Sequence, residues 1–368
     1  MEQVLEHFKQ QVHSAAAGKT ALRIHGDGSK DWYGQPLAGE PLDTRAYRGI
    51  VAYDPTELVI TARCGTPLAE IEAALADQNQ MLAFEPPHFG AGATGATIGG
   101  VFACGLSGPR RATAGALRDF ALGAVLLDGR GEVLRFGGQV MKNVAGYDVS
   151  RLLAGSLGTL GLVLQVSLKV LPKPFAETTL RFELDQAQAI AQLNAWAGQP
   201  LPISASAWHD DVLILRLSGA QAAVSAAQIK LGGEQVPEAD AEQFWTPLRE
   251  QNISFFDDED AGADAESAAL WRLSVPSVSA PLLDKYVQLI EWGGAQRWLK
   301  TDSSTATAAI VRAAAFQAGG HATLFRGGDK SVGVFQPLAP AIDRIHRNLK
   351  TAFDPDAVFN PGRMFAHL

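Results

Sequence analysis

Val4, Leu5, Phe8 and Val12 recur at helical spacing and predict an amphipathic helix at the start of the chain. Leu22 and Ile24 then alternate with polar neighbours, which predicts a short strand running into the turn His25-Gly26-Asp27-Gly28-Ser29-Lys30. A second strand is expected over Leu58 to Arg63. After it, Thr66-Pro67 supplies an N-cap and a first-turn proline, and Leu68, Ile71 and Leu75 share one face of the helix that follows. Residues 85–115 read as a long glycine-rich connection. Ala124–Leu127 and Val133–Phe136 flank Asp128-Gly129-Arg130-Gly131, a hairpin signal. Leu162, Leu164, Val166, Leu168 and Val170 alternate with Val163, Gln165, Ser167 and Lys169. That pattern predicts a long strand with one buried face, stopped by Pro172-Lys173-Pro174.

Beyond Pro174 the texture changes. A strand over Thr178–Leu184 precedes a helix carrying Ile190, Leu193 and Trp196 on one face. Strands at Ile203–Trp208 and Val212–Leu217 are joined at His209-Asp210-Asp211, and a helix from about Ala220 to Leu231 leads to a short strand at Glu234–Val236. The order β-α-β-β-α-β is the ferredoxin-like arrangement. Further strands are expected at Leu270–Val275, Gln296–Lys300 and His321–Arg326, with helices at 304–318 and 340–353. No tandem repeat of fixed period is visible.

At 368 residues, with 47% apolar and 19% charged positions, the chain can bury a large core, which excludes a disordered protein. Roughly 150 residues per domain suggests two to three domains. No run of apolar residues is long enough for a membrane span. The opening MEQVLEHFKQ carries charges where a secretion signal would be apolar, and Cys64 and Cys104 are too few for a disulfide framework, so a cytoplasmic setting is expected. A net charge of −8 argues against a nucleic-acid binder.

The 37 glycines change the picture more. They cluster at residues 90–108, 123–138 and 155–161, as expected where backbone must approach a ligand closely. A pyrophosphate binds best where several backbone N–H groups converge without a Cβ in the way. His25–Lys30 offers one such lining. Thr97-Ile98-Gly99-Gly100, with Gly105 and Gly108 beyond it, offers a second, beside Arg110 and Arg111. Tight turns alone would also account for any one of these glycines. Two phosphate motifs fail. Gly28-Ser29-Lys30 reverses the Walker order, and Gly26-Asp27-Gly28 lacks the third glycine and the following helix of a dinucleotide fingerprint, which disfavours a nicotinamide enzyme. None of the eight histidines has metal-site spacing, and no GxSxG elbow is present. His321, beside Gly319-Gly320, is a candidate base, although a lone histidine is more often an ordinary hydrogen-bonded residue.

The succession RIHGDGS, GTPLAEIEAAL, ATIGGVFACGLSGPRR, LRDFALG, GGQVMKNVAGYD, GSLGTLGLVLQVSLKVLP and FNPGR resembles the vanillyl-alcohol-oxidase (PCMH-type) flavoprotein family. The resemblance spans nearly the whole chain. It implies an α+β fold: a PCMH-type FAD-binding domain of two α+β subdomains (1–175), a ferredoxin-like α+β cap (176–335), and a C-terminal segment (336–368) returning to the flavin. It places Gly26, Asp27, Gly28, Ser29 and Lys30 in the phosphate loop, with His25 in the same turn. Many relatives carry in that loop a histidine bonded to the flavin. Ser29 stands there in this chain, so FAD is expected to be non-covalent. Thr97, Gly99, Gly100, Cys104, Gly105, Gly108 and Arg110 match a second flavin-lining segment. Cys104 and Gly105 replace the Thr and Asn of many relatives. Gly158 and Gly161 match the adenine end, and Asn360 and Arg363 the C-terminal return.

Within the family, the pattern is most similar to the smaller FAD-binding subunits of complexes that oxidise glycolate to glyoxylate. The resemblance therefore implies two partners, a larger homologous flavoprotein and an iron–sulfur protein, through which any membrane association would come. The histidine-rich metal and substrate segment of the larger hydroxy-acid dehydrogenases has no counterpart here. Oxidation of a 2-hydroxy acid needs a base and a cation for the carboxylate. His321 is the candidate base, and Arg326, Arg110 or Arg363 the candidate cation. Two alternatives stand beside this reading: a self-sufficient FAD dehydrogenase of another 2-hydroxy acid, and a structural subunit of the complex. Lys142–Asp148 reads as a capped helix start rather than a flavin contact. Trp271, Trp292 and Trp298 read as core or interface residues, and the acidic run 257–266 as a solvated loop.

Overall fold

The computed structural model describes residues 1–90, 95–138, 147–257 and 268–368. The chain forms two compact units. The first comprises Met1–Ser107, Gly115–Pro172 and Pro337–Leu368, and the second Gly108–Ala114 and Lys173–Gln336.

The first unit opens with α1 (Glu2–Gly18), β1 (Leu22–His25), β2 (Glu40–Asp43), β3 (Ile50–Asp54), β4 (Val59–Arg63), α2 (Leu68–Ala76) and β5 (Gln80–Met81). There follow α3 (Ile98–Cys104), α4 (Arg111–Ala114), α5 (Leu117–Phe120), β6 (Ala121–Leu127), β7 (Val133–Gly137), α6 (Val149–Leu153), β8 (Leu162–Lys169) and β9 (Leu171–Pro172). A five-stranded antiparallel sheet has the order β3-β4-β8-β6-β7. At its centre, β8 buries both faces, not the single face its alternation predicts: Val163 and Ser167 are buried with Leu162 and Leu164. The Ser167 hydroxyl is satisfied by Thr61 Oγ1 at 2.8 Å, which is how a polar residue fits the second covered face. Phe8 and Val12 of α1 join Leu162, Leu164, Leu127 and Phe359 in one core cluster. Helix α3 lies in the stretch expected to be irregular. Two glycines weaken its local signal, but Thr97 caps it and Gly105, at φ 64°, ends it.

The second unit is built on β10 (Ala176–Glu183), α7 (Gln186–Ala197), β11 (Ile203–His209), β12 (Val212–Gly219), α8 (Gln221–Leu231), β13 (Glu234–Val236) and α9 (Glu238–Glu250). It continues with β14 (Ala268–Ser274), β15 (Gln288–Glu291), β16 (Gln296–Asp302), α10 (Thr305–Gln317) and β17 (His321–Gly327). The expected ferredoxin-like order is present as β13-β10-β12-β11, but it is half of an eight-stranded sheet continued by β15-β16-β14-β17. Numbered within each half, the strands run 4-1-3-2 and then 2-3-1-4, so the same topology occurs twice, joined through β11 and β15. The second copy has no helix between its first two strands. Pro276 and Pro281 fall in that connection, and the fully buried Arg297 holds it by donating to the carbonyls of Gly294, Ala280 and Ser279. Strand β15 has four buried residues and therefore no alternation to read. Trp271 and Trp298 are core residues, and Trp292 is half-buried.

The chain passes between units at Pro172/Lys173, and Gly108–Ala114 belongs to the second unit, not to one domain running unbroken over 1–175 as expected. Arg110 pairs with Glu177 at 2.7 Å, Thr113 Oγ1 donates to the Ser204 carbonyl, and Trp292 Nε1 donates to the Gly108 carbonyl under a stacked Arg111. The last element, α11 (Pro340–Phe353), rejoins the first unit. Of the capped-start reading at 142–148, residues 142–146 lie outside the described residues; Asp148 accepts from the Arg151 amide and caps α6. All but the first residue of the acidic run 257–266 also lies outside them.

Candidate functional site

A cleft in the first unit holds about 770 Å³ of space, counting the part that opens to solvent. That is a size suited to an organic cofactor. Segments far apart in sequence wall it, among them the loop after β1, the start and end of α3, the turn that leads into β8, and the segment after α11.

Gly26, Asp27, Gly28, Ser29 and Lys30 all line it. Strand β1 delivers this loop, and Gly28 turns it at φ 79°, a conformation that favours glycine. The N–H groups of Gly28 and Ser29 have no partner among the described residues. Ser29 instead accepts at Oγ from Lys30 Nζ and at its carbonyl from Trp32. Two unbonded amides at a left-handed turn, beside the buried Lys30, form a place for an anion. A Cβ on Gly26 would lie 2.5 Å from Thr97 Oγ1, so the loop and the cap of α3 meet only because Gly26 has no side chain.

Thr97, Gly99, Gly100 and Cys104 line the cleft along α3. Gly99 is there for packing: its Cβ would lie 2.7 Å from Cys64 Cβ. Gly100 is different, since its Cβ would meet only Thr97 Oγ1, at 3.4 Å. The first amides of α3 are already bonded, Ile98 to the Thr66 carbonyl, Gly99 to that of Cys64 and Gly100 to Thr97 Oγ1, so the loop after β1 is the available anion donor. Burial pushes the Cys64 thiol up to about 12 and the Cys104 thiol up to about 11, so both are protonated at neutral pH.

Gly158, Gly161, Asn360 and Arg363 complete the expected lining. Asn360 ties two walls together, accepting from the Ile24 amide at 2.9 Å and donating to the Leu157 carbonyl at 2.7 Å. Arg363 donates to the carbonyls of Gln35 and Asp31. Burial lowers its pKa from the ordinary value, yet guanidinium stays charged at neutral pH, and a buried cation on neutral acceptors favours an anion in the cleft.

Four expected cofactor residues are absent from this lining. His25 lies behind its loop, with Nδ1 3.6 Å from Asp31 Oδ2. Gly105 closes α3 where its backbone meets that of Gly155. Gly108 and Arg110 belong to the second unit, where the Arg110 guanidinium is taken by Glu177. The candidate catalytic pair is also separated. His321 opens β17, exposed, its pKa lowered by desolvation and the Arg272 charge, whereas Arg326 lies near the strand's other end and donates to Gln251. Five residues of strand put them roughly 17 Å apart. Sequence reading missed Leu37, Thr44, Cys64, Ala103 and Leu157 in the lining. Of these only Cys64, between a strand and the GTP turn, had a local signal.

Known proteins match this chain at three levels. A family described as FAD binding domain matches residues 5–137. The chain is 51% identical over 360 residues to the glycolate oxidase subunit GlcE of Escherichia coli strain K12, covering 98% of this chain and 97% of that protein. It is 40% identical over 96 residues, 26% of this chain and 20% of the other, to the glycolate oxidase subunit GlcD of Bacillus subtilis strain 168. Among solved structures, p-cresol methylhydroxylase with substrate bound matches with a TM-score of 0.68 at 14% identity, covering 99% of this chain and 87% of that one. That likeness is one of fold, and the fold is the PCMH-type α+β fold.

Proposed function

Given that the chain belongs to the family of the glycolate oxidase subunit GlcE and carries an FAD binding domain, we propose that it is the FAD-binding subunit of a complex that oxidises glycolate to glyoxylate. The observation that carries the cofactor's placement is the pair of unbonded amides at Gly28 and Ser29 in a cleft whose closest approaches only glycine permits. FAD, when bound, supplies a two-electron acceptor. The chain's part is to hold the diphosphate at the Gly28–Ser29 amides, to balance its charge with Lys30 and Arg363, and to keep water from the cleft with Leu37, Leu157 and Leu162. Ser29 at the loop position, with His25 behind it, supports non-covalent attachment.

The partners are those the resemblance implies, and the relatives' names as subunits of a glycolate oxidase support a complex of several chains. An iron–sulfur cluster needs about four thiolates. This chain has two cysteines, too few to hold one, so electrons leave through a second subunit that carries the cluster or directly to a small acceptor. A larger flavoprotein subunit completes the complex. No helix among the described residues is long and apolar enough to cross a membrane. The two unpaired thiols support a reducing cytoplasmic setting, with any membrane contact made through its partners.

A second reading is favoured by the separation of His321 from Arg326 and by the commitment of Arg110 and Arg363 to bonds inside the chain. On it, this subunit binds FAD and relays electrons while a partner abstracts the proton. An anaerobic visible spectrum of the purified chain, before and after glycolate, tests both. A flavin spectrum that bleaches assigns the oxidation to this chain, one that does not bleach assigns a relay role, and no flavin overturns the placement of the cofactor.

A further inference from the structure

Neither Lys350 nor Asp354 lines the cleft, yet they form a nearly dry ion pair with Nζ 2.7 Å from Oδ2 and side chains 9% and 0% exposed. Each partner's remaining capacity is bonded to backbone. Lys350 Nζ also donates to the carbonyls of Thr159, at 2.7 Å, and Phe359, at 2.8 Å. Asp354 accepts from the amides of Val358, at 2.9 Å on Oδ1, and Phe359, at 2.8 Å on Oδ2. All three ammonium donors are therefore used, in a geometry that a longer or forked cation could not copy.

The bonded carbonyls belong to the residues beside the cleft walls. Thr159 sits between Gly158 and Gly161, and Phe359 precedes Asn360, which in turn bonds Ile24 ahead of the Gly26–Lys30 loop. Gly129 packs against this node so closely that a Cβ there would lie 2.3 Å from Asp354 Oδ1, so only glycine fits beside the carboxylate. A buried pair is a poor source of net stability, because desolvation offsets its attraction. Two buried charges that join Thr159 to Val358 and Phe359, segments nearly 200 residues apart, have another use.

We propose that the Lys350–Asp354 pair is a positioning element that sets FAD affinity from outside the cleft, by fixing the spacing between the 157–163 wall and the 358–363 wall. The inference rests on the cleft being the FAD site. Lys350→Met removes the ammonium at similar volume, and Asp354→Asn removes the charge but keeps the shape. Both lengthen the tie to Thr159 or Phe359 and let Asn360 drift from Ile24.

The test measures FAD affinity on the full chain, by flavin fluorescence on titrating apoprotein, together with apoprotein Tm and the visible circular dichroism of bound FAD. The expected result is a Kd at least tenfold weaker in both variants, at a temperature where both are folded, with altered flavin dichroism and recovery of occupancy at high FAD. A purely structural pair would lower Tm and leave the Kd of the folded fraction unchanged. Tight wild-type binding with variant Kd values within twofold of it overturns this inference alone; a wild-type chain that bound no FAD would overturn the cofactor reading and this inference with it. Should a variant not fold, hydrogen exchange of the wild-type chain decides. FAD must slow exchange of the Val358 and Phe359 amides, which lie outside the lining, and unchanged exchange there overturns the proposal.

Discussion

Gly26 and Thr97 meet at a distance that no side chain on residue 26 would allow, with the Thr97 hydroxyl 2.5 Å from where a Cβ would stand. Thr97 caps α3, and Gly26 begins the loop that carries the free amides, so one contact joins two walls of the cleft.

Gly26→Ala is expected to destabilise the chain by about 1–3 kcal/mol through overpacking and to weaken FAD binding as Thr97 is displaced. Thr97→Ala alone should cost about 1 kcal/mol as a lost cap. Because Thr97→Ala removes the atoms that clash, the double variant should lose less than the sum, and a thermal-melt double-mutant cycle reads that coupling. Strict additivity would show that the contact is not shared.

Adjacent glycines of α3 should behave oppositely. Gly99→Ala would press on Cys64 and lower apoprotein Tm, whereas Gly100→Ala has room and gains helix propensity of up to about 1 kcal/mol. Gly100→Trp should leave apoprotein Tm near wild type but strip the flavin, read as loss of the visible absorbance band. Normal flavin content in that variant would remove Gly100 from the site.

The thiols give the chain an alkaline signature. Their folded pKa values, about 12 for Cys64 and about 11 for Cys104, lie above the ordinary value of 9.0, so the folded state holds its protons longer than the unfolded state does. Their contribution to stability is full below pH 9 and is lost as pH rises through 11 and 12. Cys64→Ala should flatten this limb in chemical unfolding between pH 8 and pH 11, at the cost of a small cavity. An unchanged limb would mean the thiol is not responsible.

Glu177 supplies the acid counterpart. Its burial opposes ionisation, but Arg216, Ser218 and Arg110 outweigh it and hold the carboxyl below its ordinary value. That contribution is present above the ordinary carboxylate pKa and is lost as pH falls below it. Glu177→Gln should lower Tm at pH 7 and show a shallower decline between pH 5 and pH 3. Identical slopes would leave the carboxylate without a role in holding Arg110.

His321→Ala should leave glycolate turnover by the assembled complex within about twofold, since Arg326 lies five residues along β17 from it and is bonded to Gln251; a catalytic base gives 10²-fold or more. A loss of that size would bring proton abstraction back to this chain.

Much of the fold was legible from local pattern. Helix α1, β10, β12, α8, β13 and α11 lie within a few residues of their predicted spans; α1 and α8 bury one face each, which leaves a period in the sequence. Strand β15 and the second buried face of β8 were not legible, since a strand covered on both sides has no period to show. The doubling of the ferredoxin-like order was hidden for a related reason: the second copy replaces a helix with a proline-containing loop, and Arg297 secures it through bonds to the Ser279 and Ala280 carbonyls.

The sequence by itself determined the cofactor class, through the motif order that carries the family resemblance, and pointed to glycine segments that wall one cleft, since absent side chains and loop order are written in the chain. It could not show which glycine faces the cleft and which packs against Cys64, nor that Arg110 is drawn to Glu177, nor that Lys350 and Asp354 bind the walls from behind. Those are matters of distance between residues tens to hundreds of positions apart. Only the folded chain brings them within the few ångströms over which hydrogen bonds, ion pairs and steric exclusion act.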